Sequence, residues 1–499
     1  MTTQGATTTK RPRKRESARA DIAPQAAKVR RPTVAERAER GKLARAVAPL
    51  RDQADVGAGT DRDPSGLLLE QAKTRVPELV PLRHERMAVS PFTFFRGAAL
   101  PMAADLAHRP SSGLRVQLCG DAHLANFGAF ASPERKLVFD LNDFDETLPG
   151  PFEWDVKRLA ASLAVAGRDN GFTRKDRRRI VMAAVSAYRG GMREFASMPM
   201  TGVWYSHVDL EEAIQSVRSQ LKSSRFKATE ALVAKAHLRD STQALRKLTV
   251  ITDGRRRIVS EPPLVVPIEE LLPDVESDAM YDVLRELVAR YVHSLSTSRR
   301  HLLSEFEFMH AARKVVGVGS VGTRAWILLM EADDGGDFLF LQAKEAQRSV
   351  LADYAGASDY DNQGERVVAG QTLMQAVSDI FLGWQRTTGQ DGIDRDYYVR
   401  QLRDWKLSAP IESMIPSGMR AYAGLCGSTL ARAHARSGDR IAIAAYLGAS
   451  DKFDNAIADF AETYADITEQ DHAAFVTAIA PSPTATTPRR RNSWNGGSE

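Results

Sequence analysis

Two short polar segments carry the side chains that phosphate and metal chemistry uses. The first reads Gly-Asp-Ala-His-Leu-Ala-Asn over residues 120–126, and the second reads Asn-Asp-Phe-Asp-Glu over residues 142–146. So dense a group of carboxylates repels itself unless a cation binds there, and Mg²⁺ favours a few carboxylate or amide oxygens together with phosphate oxygens. The sequence therefore predicts a magnesium site with the ligands Asn126, Asp143 and Asp145.

Phosphoryl transfer also requires a carboxylate that orients the attacking hydroxyl and a lysine that binds the phosphates. Asp121 in the first segment is the candidate for the carboxylate. The alternative is structural: Asp121 and Asn126 would cap a turn, and Asp143 and Asp145 would belong to a solvated loop. Each segment alone favours this alternative, whereas the two together favour a metal site.

A glycine-rich loop follows about 200 residues later and predicts a phosphate-covering flap. Gly317, Gly319 and Gly322 form the pattern G-x-G-x-x-G with Ser320 inside it, which alone is a weak signal. A dinucleotide-binding loop would open a helix, but here the β-like run 325–330 follows. The glycines are therefore expected at a hairpin tip, where their backbone amides cover nucleotide phosphates.

Lys344 is the candidate for the phosphate-binding lysine. Residues 306–318, 323–330 and 338–344 predict a three-stranded meander with a turn at 333–336, and Lys344 ends its third strand. A lysine in this position can instead extend to the surface. Such a lysine needs a carboxylate partner, for which Glu365 is the first candidate and Glu345 the second.

The polar segments follow short apolar runs that predict strands. Residues 114–119 and 136–140 are apolar and bounded by Gly, Ser or Pro, so each segment is expected on a loop at a strand end. Helical spacing of apolar residues continues through much of the remaining chain. The predicted helical regions are 152–170, 174–222, 278–304 and 364–479.

The first segment resembles the catalytic loop of aminoglycoside and choline phosphotransferases, and the second resembles their metal-binding segment. The resemblance implies that Asp121 is the catalytic base, with His123 and Asn126 beside it, and that Asn126 and Asp143 bind the metal. Gly150–Asp155 is similar to the helix start whose aspartate, here Asp155, braces the loop from behind. Cys119 departs from the pattern, because a histidine normally precedes Gly-Asp.

Longer phrases at 86–97, 314–324 and 430–439 resemble the bacterial family called domain of unknown function 2252, over about residues 64–475. The resemblance implies a kinase-like relationship without an established substrate. In ordinary kinases the flap and lysine precede the catalytic loop, so a circular permutation is implied. Arg83 and Arg96 would then lie near the phosphates or the acceptor, or else form a structural salt bridge.

The expected fold class is therefore α+β, a helix-rich, protein-kinase-like fold of two lobes in permuted order. The predicted parts are a basic disordered tail and linker (1–63), a large catalytic lobe (64–304), a small lobe with flap and lysine (305–390), a helical region packing on the large lobe (391–480) and a disordered tail (481–499).

Composition narrows the class of protein. With 499 residues and 43% hydrophobic content, the chain can bury a large core. Two cysteines provide neither a disulfide framework nor zinc-ligand spacing, and neither a secretory signal nor a long apolar run is evident, so a cytoplasmic location without membrane association is expected.

The basic charge is concentrated at one end of the chain. Residues 1–50 hold 13 Lys/Arg and 4 Asp/Glu, a net of +9, which leaves +5 − 9 = −4 for the rest. Nucleic-acid binding is therefore not expected except through this tail.

The leading functional hypothesis is a phosphotransferase that uses ATP and Mg²⁺ to phosphorylate an unidentified small-molecule acceptor. Two alternatives are nucleotidyl transfer to proteins by the same site and nucleotide binding without catalysis. The combination of Asp121, Asn126, Asp143 and Lys344 argues against the last, because a binding protein does not need the catalytic aspartate.

Overall fold

The fold is taken from a computed structural model. It describes residues 1–2 and 30–480, apart from 58, 60, 110, 217–229, 232, 239–240, 316, 333–334, 390 and 403–404. The expected turn at 333–336 and the predicted tail and linker 1–63 therefore lie partly outside the described residues, and the predicted tail 481–499 lies wholly outside them.

The chain forms an α+β structure in which helices predominate and the strands pair antiparallel. The helices are α1 (Val34–Val47), α2 (Pro64–Ala72), α3 (Val80–Ala88), α4 (Pro91–Arg96), α5 (Ala99–Ala107), α6 (Phe152–Asp169), α7 (Arg174–Ser197), α8 (Met200–Tyr205), α9 (Leu210–Ser216), α10 (Ser241–Leu248), α11 (Ile268–Leu271), α12 (Ser277–Val292), α13 (Thr297–Ser304), α14 (Ala352–Ala355), α15 (Gln363–Met374), α16 (Pro416–Ser437), α17 (Arg440–Leu447) and α18 (Lys452–Ile479). The strands are β1 (Arg115–Leu118), β2 (Phe127–Ala131), β3 (Leu137–Leu141), β4 (Leu148–Pro151), β5 (Thr249–Thr252), β6 (Arg255–Ile258), β7 (Val265–Pro267), β8 (Phe306–Lys314), β9 (Ala325–Ala332), β10 (Phe338–Ala346), β11 (Gly383–Thr388), β12 (Asp394–Gln401) and β13 (Leu407–Ser408).

The predicted meander is the centre of a six-stranded sheet in the order β11-β12-β10-β9-β8-β7. Alternate residues of a strand face opposite sides of its sheet. Leu339 and Leu341 of β10 pack with α11 and α12 in one apolar cluster, whereas Phe340 packs with α10 and β6 in another. We call this sheet with α10–α13 the sheet lobe.

The helical lobe is built around α6, which is buried from Phe152 to Gly167. Helices α7, α16 and α18 surround it, and the short pairs β1-β4 and β2-β3 lie at one side. Both polar segments come from this side: residues 120–126 follow β1, and residues 142–146 follow β3. The expected strands and helix 152–170 are thus present, with bounds shifted by a few residues.

The sheet lobe is larger than the predicted segment 305–390. Strand β12 pairs with β10, and β7 pairs with β8, so residues from both neighbouring segments complete the sheet. The prediction of a helical region over 364–479 is therefore wrong between 383 and 401. The sequence Asp-Tyr-Tyr-Val at 396–399 is rich in aromatic and β-branched residues, which favour strands, and all four are buried in the sheet.

Ordered structure also begins before the predicted boundary at residue 64. Helix α1 starts with a capping box in which Thr33 accepts from the amide of Glu36 and Glu36 accepts from the amide of Thr33. Arg45 of this helix donates to the carbonyl oxygens of Ala445 and Tyr446, both at 2.6 Å. These hydrogen bonds attach α1 to α17. The sequence of α1 shows little apolar periodicity, so this contact could not be predicted from it.

Glycine allows the close contact of α7 with α16. A Cβ at Gly427 would lie 2.0 Å from the carbonyl oxygen of Ala184, whereas a Cβ at Gly424 on the same helix would meet nothing within 4 Å. We expect Gly427→Ala to lower the free energy of unfolding by about 1–3 kcal/mol through overpacking. Gly424→Ala is the control and should raise it by up to about 1 kcal/mol through helix propensity. Urea unfolding of both variants tests this, and equal stabilisation would contradict the close contact.

Within the described residues, no helix combines the length and apolar character that crossing a bilayer requires.

Candidate functional site

The two polar segments and the glycine loop meet in one cleft of about 1190 Å³ between the lobes. Its lining brings together eight of the expected site residues, although the two groups are separated by about 200 positions in the chain. These are Asp121, His123, Asn126, Asp143, Asp145, Gly317, Gly319 and Ser320. Three other expected site residues, Gly322, Lys344 and Glu365, are not part of this lining.

Asp155 holds the first segment from behind. Its carboxylate accepts from the backbone amides of Cys119 at 2.7 Å and Gly120 at 3.0 Å. His434 Nε2 lies 3.2 Å from the same carboxylate, and His434 Nδ1 lies 2.9 Å from the Tyr188 hydroxyl. All three side chains are buried. Asp155 thus lies at the position expected of a bracing residue, and α16 and α7 supply the groups that hold it.

We expect Asp155→Ala to lower the free energy of unfolding by about 2–6 kcal/mol, since two buried amides lose their acceptor at about 1–3 kcal/mol each. Asp155→Asn keeps one acceptor oxygen, so its free energy of unfolding should fall by about half as much. Urea unfolding of the two variants measures this. Equal stability of Asp155→Ala and the parent protein would show that the amides find other acceptors.

Cys119 occupies the place of the expected histidine and links the two segments. Its thiol donates to the carbonyl oxygen of Asp143 at 3.2 Å and accepts from Asn126 Nδ2 at 3.4 Å. Burial, reinforced by the charge of Asp155, raises the pKa of Cys119 well above its ordinary value, so the thiol keeps its proton. The thiol of Cys119 thus links the two segments, and His434 contacts Asp155, which braces the first of them.

Arg158 of α6 orients Asp121. Its Nε and Nη2 lie 2.9 and 2.8 Å from Asp121 Oδ1, and its other donor groups bind buried backbone carbonyls. The second carboxylate oxygen, Oδ2, lies 3.7 Å from Nε2 of His123. Burial lowers the pKa of His123 to about 4, with help from the charges of Arg96 and Arg158, so the imidazole is neutral at neutral pH. His123 therefore does not compete for Asp121 as a cation.

Sequence reasoning missed Arg158. A signal for it existed: Arg158 follows Asp155 at a spacing of three in a helix whose next two turns are apolar, so both side chains share one face.

Asn126 and Asp143 present the oxygens that a metal would bind. Asn126 Nδ2 donates to the carbonyl oxygens of Asp121 at 3.0 Å and Asp143 at 2.9 Å, which fixes the amide at the junction of the segments. The Asp143 side chain is 42% exposed toward the cleft. Burial alone would raise the pKa of Asp143, but the charges of Lys344, Arg400 and Lys406 outweigh it and lower the pKa.

Asp145 is bound more tightly within the protein. Oδ2 of this residue pairs with Lys344 and accepts from Ser320 Oγ at 3.4 Å, while Oδ1 accepts from the Tyr398 hydroxyl at 2.8 Å. Burial and the neighbouring charge of Asp143 raise the pKa of Asp145. Asp143 is thus the more available ligand, and the side chain of Asp145 contacts β10, β12 and the glycine loop.

The side-chain oxygens of Asn126 and Asp143 fit Mg²⁺ better than a metal ion that takes all its ligands from the protein. Within the described part of the chain, no group of three or more His, Cys, Asp and Glu side chains is arranged to hold an ion. Lys344, Ser320 and Tyr398 already contact Asp145, which argues against the expected role of this residue as a metal ligand. The carboxylate of Asp143 and the amide oxygen of Asn126 would leave positions for water and phosphate oxygens, which is how Mg²⁺ is usually bound.

Lys344 of β10 is not part of the cleft lining, although Asp145, which it contacts, is. It pairs in register with Tyr398 of β12, and only 1% of it is exposed. Its ammonium group contacts Asp145 and lies 3.6 Å from Asp143. Burial opposes its charge, yet these two carboxylates raise the pKa of Lys344 above its ordinary value.

Neither expected partner of Lys344 pairs with it in the described structure. Glu345 points to the opposite face of the strand, as the alternation of a strand requires, and accepts from Arg324. Glu365 lies in the first turn of α15, where its amide donates to Asn362. The next residue, Arg366, reaches the segment instead and donates to the carbonyl oxygens of Thr147 at 2.6 Å and Asp145 at 2.8 Å.

The glycine loop is attached to the helical lobe. Gly322 accepts from the amide of Val76 at 2.8 Å, and Gly317 accepts from Arg86 at 2.6 Å. Positive φ angles of 65° at Gly317 and 89° at Gly322 require glycine at both ends. Among the described residues, the amides of Gly319 and Ser320 have no acceptor. Two donors are thus available where the loop lines the cleft.

The two arginines considered above differ in position. Arg83 is fully buried and donates to Gln71 and to the carbonyl oxygen of Gly97. Arg96 lines the cleft. Within the described residues neither forms an ion pair, so the structural salt bridge that sequence left open is not formed.

Comparison with known proteins identifies a family but no annotated relative. The family model described as an uncharacterized protein conserved in bacteria, DUF2252, matches residues 75–478, which include both polar segments, the glycine loop and Lys344. No curated protein and no solved structure matches the chain.

Proposed function

Since the chain belongs to DUF2252, a family defined without an activity, its function must be argued from its own cleft, and we propose that this cleft transfers phosphate from ATP with Mg²⁺. The observation that carries the proposal is the approach of Lys344 and the glycine loop to Asp145 and Asp121. A carboxylate for the acceptor, oxygens for the metal, a lysine and a glycine loop are the parts that phosphoryl transfer uses.

Each part has a distinct task in the proposed reaction. Asp121 Oδ2 accepts the proton of the acceptor hydroxyl, because Oδ1 is already bound by Arg158. The acceptor oxygen forms a bond to the γ-phosphorus, the bond to the β–γ bridging oxygen breaks, and ADP leaves. Asn126 and Asp143 would hold Mg²⁺, whose charge offsets that of the phosphates.

The glycine loop and Arg75, a buried arginine beneath it, would bind the phosphate oxygens that Mg²⁺ does not neutralise. Arg75 donates to the carbonyl oxygen of Val321 at 2.7 Å, while its Nε has no partner among the described groups. The amides of Gly319 and Ser320 are the backbone donors for phosphate oxygens. This division of parts supports the finer proposal of a kinase-like, two-lobed arrangement with the lobes in permuted order.

The proposal is tested by incubating the purified chain with ATP and MgCl₂, with and without EDTA, and a mixture of small hydroxyl compounds. We expect a magnesium-dependent rise in melting temperature with ATP, and mass spectrometry should find ADP and a phosphorylated product. A product that carries AMP would favour nucleotidyl transfer, and stabilisation without turnover would favour a binding protein. Neither stabilisation nor turnover would overturn the proposal.

A further inference from the structure

Arg96 at the end of α4 lines the cleft beside Asp121 without a counter-charge of its own. Within the described part of the chain its side chain forms no hydrogen bond and no ion pair, and its Nε is buried with no partner. Native proteins pair nearly all buried polar groups, so this buried Nε beside the cleft requires an explanation. A ligand that supplies the missing acceptor is one.

The carboxylate in the cleft beside Arg96 is already matched. Asp121 Oδ1 binds two nitrogen atoms of Arg158, which is 3% exposed. Asp121 is therefore paired with Arg158 and not with Arg96. Glu412 also acts on Arg96, but it is exposed and forms no ion pair with it among the described contacts. Among the described residues, no carboxylate therefore forms an ion pair with the charge of Arg96.

This charge belongs to the acceptor half of the cleft. The charges that act on Arg75, beneath the glycine loop, are those of Glu146, Asp145 and Glu345. Arg96 lies between Phe95 and Ala98, whose carbonyl oxygens accept from Arg158, the residue that binds the proposed base Asp121. The nucleotide half thus has its own arginine and lysine, and Arg96 lies where an acceptor hydroxyl would approach Asp121.

We infer that Arg96 binds an anionic group of the acceptor, a carboxylate or a phosphate ester, and that the acceptor is a negatively charged hydroxyl compound. That the anion belongs to an acceptor rests on the proposed function, whereas anion binding by Arg96 does not depend on it. A planar guanidinium binds either anion through two parallel hydrogen bonds. The same charge disfavours a cationic amine as acceptor.

The test measures binding of inorganic phosphate and of acetate by calorimetry, in chloride buffer, with Mg²⁺ and a non-hydrolysable ATP analogue at saturation. Filling the nucleotide half first leaves the proposed acceptor half for the small anion. We expect one equivalent of phosphate or acetate to bind, at least tenfold weaker binding to Arg96→Gln, and an intermediate affinity for Arg96→Lys. Arg109→Gln, which removes an arginine paired with Asp55 outside the cleft lining, should bind as the parent does.

The outcomes separate this inference from the proposed function. Equal anion affinity in the parent and Arg96→Gln, or no binding of either anion, would overturn the inference. It would also be overturned if Arg96→Gln weakened binding of the ATP analogue as much as it weakened binding of the anion. If the analogue itself does not bind, the proposed function fails, and titration of the anions without it still tests Arg96. The tighter of the two anions identifies the charged group of the acceptor.

Discussion

Asp121→Asn should lower the rate of ATP turnover by a factor of about 10² to 10⁴, the usual contribution of a positioned general base. The variant keeps an oxygen that can accept from Arg158, so the buried guanidinium retains a partner and the fold should persist. Asp121→Ala would leave that guanidinium unpaired, and a loss of stability would then be confused with a loss of chemistry. Asparagine therefore isolates the proton-accepting role.

Two measurements on Asp121→Asn make the result decisive. Phosphate release reports turnover, and the shift in melting temperature with Mg²⁺ and ATP reports nucleotide binding, which should be unchanged. Asp466→Asn is the matched control, since Asp466 also pairs with an arginine, Arg168, but is largely exposed and outside the cleft lining. Full turnover in Asp121→Asn would remove this residue from the mechanism.

Lys344→Met should lower the free energy of unfolding by about 3–5 kcal/mol, measured by urea denaturation without nucleotide or Mg²⁺. Lys344 is the buried cation between Asp143 and Asp145. Its removal leaves two neighbouring carboxylates without their shared positive charge. Lys136→Met is the control: Lys136 pairs with Asp209 at an exposed position, and such pairs contribute at most about 1 kcal/mol.

The double variant Lys344→Met with Asp145→Asn checks the cause. If the loss comes from uncompensated charge, removing one carboxylate should restore part of the stability, because residues in one ion-pair group are not additive. A double variant that loses the sum of the two single effects would instead indicate that Lys344 stabilises the lobe by packing alone. Binding of the ATP analogue should be weakened in both variants.

Much of the site could be predicted from local sequence because its chemistry is local. Asp121 with Asn126, and Asp143 with Asp145, lie within a few residues of each other at strand ends, and the backbone alone brings such residues together. Short apolar runs predicted β1, β3 and the meander, because alternation and length are properties of the segment itself. The glycines at 317 and 322 were informative for the same reason, since a positive φ restricts residue type at a single position.

The partners of these residues could not be predicted in the same way. Arg158, Tyr398, His434 and Arg366 contact the site from separate helices and a strand. Glu365 was expected to pair with Lys344 from a following helix, whereas the carboxylates beside Lys344 come from the loop after β3, about 200 residues earlier. Local spacing predicts a helical region that includes the strand at 394–401, because the pairing of this strand with β10 lies outside any local window.

The sequence by itself thus determined which side chains could do chemistry, which loops carry them and which family the chain resembles. Only the tertiary structure decided that two groups about 200 residues apart share one cleft, that Lys344 pairs with Asp145, and that Arg96 forms no ion pair among the described residues. The physical reason is that burial and electrostatic pairing depend on distances through space. A segment's pattern restricts its own backbone, whereas the packing of the lobes sets which charges meet.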